Sequence, residues 1–190
     1  MTGYLAPEGF LDELVTELRD VAAVHGRLVL AEGPPRPSAW AANVWNVPVL
    51  FRTVSITDAA RKLRAIQRDW ALYSFHLHRR AQLIASQLPT VAVRPSAFPA
   101  PVPTRPIGSW TLLDEQTVLA SAQCSCSWPN GEIEFIENHD APPSRAYLKL
   151  WELFSRLQTW PRVGERCVDL GACPGGWTWV LQGLGARVLA

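Results

Sequence analysis

The chain has 190 residues, 48% of them hydrophobic, with a mean hydropathy near zero. That is a soluble, globular make-up, long enough for one large domain or two small ones. Eighteen basic residues face 17 acidic ones, so no global basic field marks the protein as a nucleic-acid binder, and any such contact needs a local patch.

In chain order, residues 3–32 read as strand, helix, strand. "GYLAP" is short and apolar. "PEGFLDELVTELRDVAA" has Pro7 near a helix start and Phe10, Leu11, Leu14, Leu18 and Val21 at helical spacing. "RLVLAEG" is a strand closed by Gly33, Pro34 and Pro35. "SAWAANVW" is predicted as a brief helix and "VPVLFRTVSI" as a strand. "SITDAARKLRAIQRDW" is a helix capped by Ser55 or Thr57, with Leu63, Ile66 and Trp70 on one face and Arg61, Arg64 and Arg68 on the other. "LYSFHLHRRAQLIASQL" continues as helix up to Pro89, and "TVAVRPSAF" as strand.

Residues 94–108 hold five prolines, which remove donors and favour extended chain. The expected domain break therefore lies near residue 105, with a small α+β domain over 1–105 and a second domain over 106–190. Beyond it, "SWTLLDEQTVLASAQ" and "GEIEFIE" suggest antiparallel strands joined through "WPNG". "PPSRAYLKLWELFSRLQTW" is a helix with Ser144 as cap and Tyr147, Leu150, Trp151, Phe154 and Leu157 along one side. A strand over 166–170, a glycine turn, a helix from Trp177 to Gln182 and a last strand "ARVLA" complete the chain.

Strand, Gly-rich turn, helix and strand form the start of a doubly wound α/β domain, whose first turn is where nucleotide-like ligands dock. Glycines permit positive φ and close approach of the backbone, and the helix that follows points free N–H groups and a partial positive charge at the ligand. "DLGACPGGWTWVL" lacks the Gly-Lys-Ser/Thr of a phosphate loop, and Pro174 interrupts a dinucleotide fingerprint. The pattern suits a nucleoside that bears a carboxylate and no phosphate, such as S-adenosylmethionine.

"DLGACPGGWTWVL" resembles motif I of the FtsJ-like ribose 2′-O-methyltransferases, and "PPSRAYLKLWELF" resembles the P-S-R-x-x-L-K-L helix of that family, in the right order. Within the family the C-P-G-G-W-T wording is similar to the M type of large-subunit ribosomal RNA methyltransferases, a branch with an extra RNA-binding portion before the catalytic domain. The resemblance implies a Rossmann-like methyltransferase domain with S-adenosylmethionine as cofactor and ribosomal or other structured RNA as partner. Cys173, Pro174, Gly175, Gly176 and Trp177 would line the cofactor pocket, and Asp169 and Gly171 would shape it. The segment around Ser144 and Ala146 would border the methionine end. At the Ala146 position ribosomal members carry serine, so only main-chain contact is expected there. Lys149 would be the first lysine of the family's Lys-Asp-Lys-Glu set, which moves a proton off the ribose hydroxyl. The plain alternative for Lys149 is a solvated helix lysine paired with Glu152.

The acidic residue that follows the family's second strand, and the later Asp, Lys and Glu, do not occur in these 190 residues. The expectation is therefore the front half of a methyltransferase, with no turnover alone and at best weak cofactor binding. Its rival is a non-catalytic RNA-binding protein with a vestigial methyltransferase half.

Other residue groups carry weaker signals. Arg61, Arg64, Arg68, Arg79 and Arg80 are candidate RNA-phosphate contacts, with a solvated helix face as the alternative. Only Lys62 and Lys149 are lysine; the other sixteen basic residues are arginine. Cys124 and Cys126 lack a second ligand pair, so no metal is expected. His76 and His78, two residues apart, do not converge on one helix face. Trp110, Trp128 and Trp160 are expected as core or domain-contact anchors. The four cysteines are read as reduced, and the start has neither a basic nor an apolar signal region, which together point to the cytoplasm. No apolar run is long enough to span a membrane.

Overall fold

A computed structural model describes residues 1–91 and 95–190. The strand read over 90–98 falls partly on 92–94, outside the described residues; of the remainder, Ser96 makes an isolated parallel bridge to Phe135. The chain divides into two compact units, Met1–Val93 with Pro103–Glu132, and Arg94–Val102 with Ile133–Ala190. Residues 106–132, grouped by sequence with the C-terminal part, thus belong to the first unit.

The first unit opens with β1 (Thr2–Leu5), α1 (Leu11–Glu17), β2 (Val21–His25) and β3 (Leu28–Ala31), followed by β4 (Asn43–Trp45). They form an antiparallel sheet in the order β2-β3-β1-β4. The helix read over 7–23 stops at Glu17, because Leu18 already takes extended backbone at φ −79° and ψ 125° and Val21 starts a strand. "SAWAANVW" forms no helix; its end pairs with β1, placing Trp45 opposite Gly3.

The second sheet holds β5 (Val49–Arg52), β6 (Trp70–Leu72), β7 (Gly108–Leu112) and β8 (Thr117–Ser121), in the order β5-β8-β7-β6. The β6–β7 pairing is parallel and the other two are antiparallel. Between these strands lie α2 (Ile56–Ile66) and α3 (His78–Ala85). Ser55 caps α2 by accepting from the Asp58 N–H at 3.1 Å. Trp70 is therefore a strand residue and not part of the helix face, and "LYSF" is strand and connection before α3 begins. Leu63, Trp70, Ile84, Trp110 and Leu112 share one core. The hairpin lies within "SWTLLDEQTVLASAQ" itself; "WPNG" is a 3-10 turn, and among the described residues "GEIEFIE" contributes the bridge at Phe135 and no strand.

The second unit contains α4 (Tyr147–Leu157), β9 (Arg166–Val168), α5 (Gly176–Gly183) and β10 (Arg187–Leu189). β9 and β10 pair in parallel with α5 between them in sequence, a right reading of strand, glycine turn, helix and strand. Tyr147, Leu150, Val180 and Leu181 are buried together, with Cys167 and Val188 of the strands packed against them. Leu157, expected on the inner side of α4, is exposed. The described part of the proline-rich segment packs on α4: Phe98 stacks on Trp151 at 5.1 Å, and the Ala100 N–H donates to Ser155 Oγ at 3.1 Å. Among the described residues no helix is long and apolar enough to cross a membrane.

Candidate active site

The site starts where β9 ends. The Asp169 N–H donates to the Leu189 carbonyl at 2.9 Å, extending the parallel pairing by one residue. Its carboxylate is buried, and Oδ2 accepts from Thr178 Oγ1 at 2.6 Å, tying the end of the strand to the first turn of α5. The chain between must turn sharply. Gly171 has φ 75° and Gly175 φ 102°, a region that side chains avoid. Gly175 donates to the Ala172 carbonyl and serves as N-cap of α5 without any capping side chain. The N–H groups at the start of α5 are left without partners in the helix.

Gly176 is required for a different reason. A Cβ there would lie 2.6 Å from Ser144 Oγ and 3.2 Å from the Tyr147 nitrogen. Only glycine lets α5 begin this close to the start of α4. Trp177 reinforces the junction, its Nε1 donating to the Ala146 carbonyl at 3.0 Å. Main-chain contact was expected at Ala146, and its carbonyl is engaged by the indole. Ser144 does not cap α4; Ala146 holds the N-cap position, and Ser144 Oγ is buried without a partner.

These residues enclose a cavity of about 200 Å³, lined by Ser144, Ala146, Asp169, Gly171, Cys173, Pro174, Gly176 and Trp177, together with Leu170 and Ala172. Of the expected cofactor residues, eight line it and Gly175 stands behind it as the cap. Sequence reasoning missed Leu170, Ala172 and the Thr178 clamp; the hydroxyl two residues past the paired glycines was the available signal for the last. The volume is below the roughly 300–1,000 Å³ of complete ligand pockets, so the cavity fits one end of a ligand. Its lining holds one carboxylate and no cation. A pyrophosphate would meet Asp169 as a like charge, whereas the sulfonium and ammonium cations of S-adenosylmethionine suit a lining with one carboxylate and no cation.

Lys149 lies outside that lining, exposed on α4 three residues beyond Ala146. It does not pair with Glu152, whose carboxylate is engaged by Arg156 at 2.7 Å. A larger cavity of about 410 Å³ in the first unit, bordered by Trp70, Gln82, Thr90, Trp110 and Asn130, has no ionisable side chain among its described lining residues.

The arginines on α2 and α3 differ in how they are held. Arg61 pairs with Asp58 at 2.5 Å, and Arg68 stands 3.7 Å from Asp69. Arg64 and Arg79 are exposed, and Arg80 is half-buried with an unpartnered Nε. All four cysteines are free. Burial raises the Cys124 thiol above its ordinary pKa, although Ser109 hydrogen bonds oppose the shift. Among the described residues no three His, Cys, Asp or Glu side chains gather to hold a metal ion. Trp110 is fully buried, and Trp160 packs edge-on to Phe98.

Comparison with known proteins bears on the same stretch. Residues 142–190 match the FtsJ-like methyltransferase family. The resemblance read from motif I and the upstream helix therefore holds. Ribosomal RNA large subunit methyltransferase M of Thauera aminoaromatica is 46% identical over 74 residues, covering 36% of this chain and 20% of that protein. Its namesake from Halorhodospira halophila is 47% identical over 66 residues, covering 33% of this chain and 19% of that protein. The protein of the same name from Alkalilimnicola ehrlichii is 46% identical over 79 residues, 38% of this chain and 21% of its own. The chain thus covers about a fifth of the length of these relatives.

Proposed function

We propose that the chain carries the cofactor-binding part of an S-adenosylmethionine-dependent ribose 2′-O-methyltransferase acting on ribosomal RNA. The observation that carries the reading is the cation-free cavity at the uncapped start of α5, built from the residues that match the FtsJ-like family. The bound cofactor supplies an activated methyl group. The chain's own residues hold and orient it: the glycine turn brings bare main chain against it, Asp169 offers a fixed carboxylate, and Trp177 walls the mouth. The names of the relatives supply the ribosomal RNA substrate.

Lys149 is the proposed group for the ribose hydroxyl. Support comes from its exposure on α4 and from its place in the helix within the residues that match the FtsJ-like family. Proton transfer to a positioned base contributes roughly 10²–10⁴-fold to such a reaction. The 190 residues by themselves hold a partial site, because the cavity accommodates one end of the cofactor and Lys149 does not line it. That feature also favours the second reading, RNA binding without catalysis.

Calorimetry of the 190-residue chain with S-adenosylmethionine, and methyl transfer from labelled cofactor to unmodified ribosomal RNA, test the proposal together. Weak binding without transfer is the expected result. Sub-micromolar binding with transfer contradicts the partial site, and no binding contradicts the methyl-donor reading.

A further inference from the structure

The first unit contains a surface that neither the cofactor site nor the α2 arginine face accounts for. The chain has 17 acidic residues in 190, yet none falls between Asp69 and Asp114. Within that acid-free stretch, "FHLHRR" runs from Phe75 to Arg80. The structure folds its rings into one group. His76 packs edge-on to Phe75 at 4.0 Å, and His25 of β2 lies 5.9 Å from Phe75. Phe75 in turn stacks on the buried Tyr73 at 5.9 Å, which fixes the group to the core. His25, Phe75 and His76 are each half-buried, neither sealed in the core nor fully exposed.

Arg79 and Arg80 follow at once, in the first turn of α3. No acidic residue stands in that turn, and the N-cap Leu77 offers no side-chain hydrogen bond. Cations at a helix N-terminus oppose its dipole, so helix stability alone does not favour this placement. Among the described residues Arg79 is exposed without an ion-pair partner, as is Arg64 of α2, while Arg61 and Lys62 of α2 both contact Asp58. Half-buried rings followed closely in sequence by arginines in an acid-free helix turn supply what a single-stranded nucleic acid requires: a stacking platform for bases and cations for phosphates.

We infer that His25, Phe75 and His76, with Arg79 and Arg80, form the surface on which the first unit holds single-stranded RNA, the rings stacking bases and the arginines taking the flanking phosphates. The inference rests on the RNA reading above, narrows the five candidate arginines to Arg79 and Arg80, and adds the rings of His25, Phe75 and His76. It also separates two arginine groups that the sequence treated as one.

The test is fluorescence anisotropy of the 190-residue chain with a labelled oligouridine, with and without a matched RNA duplex as competitor. Phe75→Ala should weaken binding about fivefold or more. Since Phe75 also packs inside the unit, Arg79→Gln is the second variant: it should weaken binding and reduce the salt slope by about 0.7. Arg61→Gln should leave binding within twofold. Wild-type binding with both segment variants unchanged overturns this inference and spares the RNA reading. Equal loss in Arg61→Gln, or a duplex that outcompetes the single strand, also overturns it. A wild-type chain that binds no RNA overturns both.

Discussion

The two units of this protein differ in what their residues are used for. In the first, Tyr4, Trp45, Leu63, Trp110 and Leu119 are sealed inside around two four-stranded sheets. In the second, Tyr147, Leu150, Val180 and Leu181 form a small buried core, while Val168 and Leu189 of the strands are 63% and 71% exposed. Yet it is the thinly packed unit that holds the glycine turn, the clamped carboxylate and the cavity. Burial and packing mark where stability lies; unusual backbone and a fixed polar group mark where chemistry is placed.

The contrast is broken most strongly at Trp110. Trp110→Ala should cost about 3–5 kcal/mol in urea unfolding of the first unit, because its indole is fully buried. The unfolding signal of the second unit should shift little.

The next effect belongs to Gly176. Gly176→Ala should destabilise the second unit by about 1–3 kcal/mol, since the new Cβ meets Ser144 Oγ. Replacing Ser144 by glycine in the same chain should recover part of that loss. Absence of any recovery in thermal melts would show that the contact with the Tyr147 nitrogen dominates instead.

Thr178 sharpens the comparison from the polar side. Thr178→Val leaves the buried Asp169 carboxylate without its hydroxyl donor, a loss of about 1–3 kcal/mol, whereas Thr178→Ser retains it. Equal melting curves for the two variants would remove Thr178 from the account.

The smallest effect lies at the surface of the first unit. Hydrogen bonds from Lys62, the Val54 N–H and Arg61 hold the Asp58 carboxyl at about 2, below its ordinary 3.8. A depressed carboxylate stabilises the fold above its unfolded pKa, and that contribution is lost as pH falls from near 4 through about 2. Acid titration of Asp58→Asn should show this part of the dependence gone.

The sequence was legible where a local rule decides the structure. Gly171, Pro174, Gly175 and Gly176 can serve few backbone paths other than a turn at a helix start, and the family match falls on them. Ser55 likewise announces the start of α2. It was illegible where partners far along the chain decide. Asn43–Trp45 became a strand because β1 offers an edge, and the reverse turn at 113–116 contains neither glycine nor proline to mark it. "GEIEFIE" alternates as a strand should, but among the described residues its one bridge is at Phe135. Leu18 shows the same limit at a single residue, where one turn to extended backbone ends a helical pattern that the spacing carries on to Val21.

The central claim, that main chain at 169–177 receives the methyl donor, is tested most directly by amide NMR of the 190-residue chain titrated with S-adenosylmethionine. Saturable shifts confined to residues near 144–146 and 169–178, with none from ATP at the same concentration, are expected. Unchanged spectra at millimolar cofactor, or equal shifts with ATP, would contradict the account.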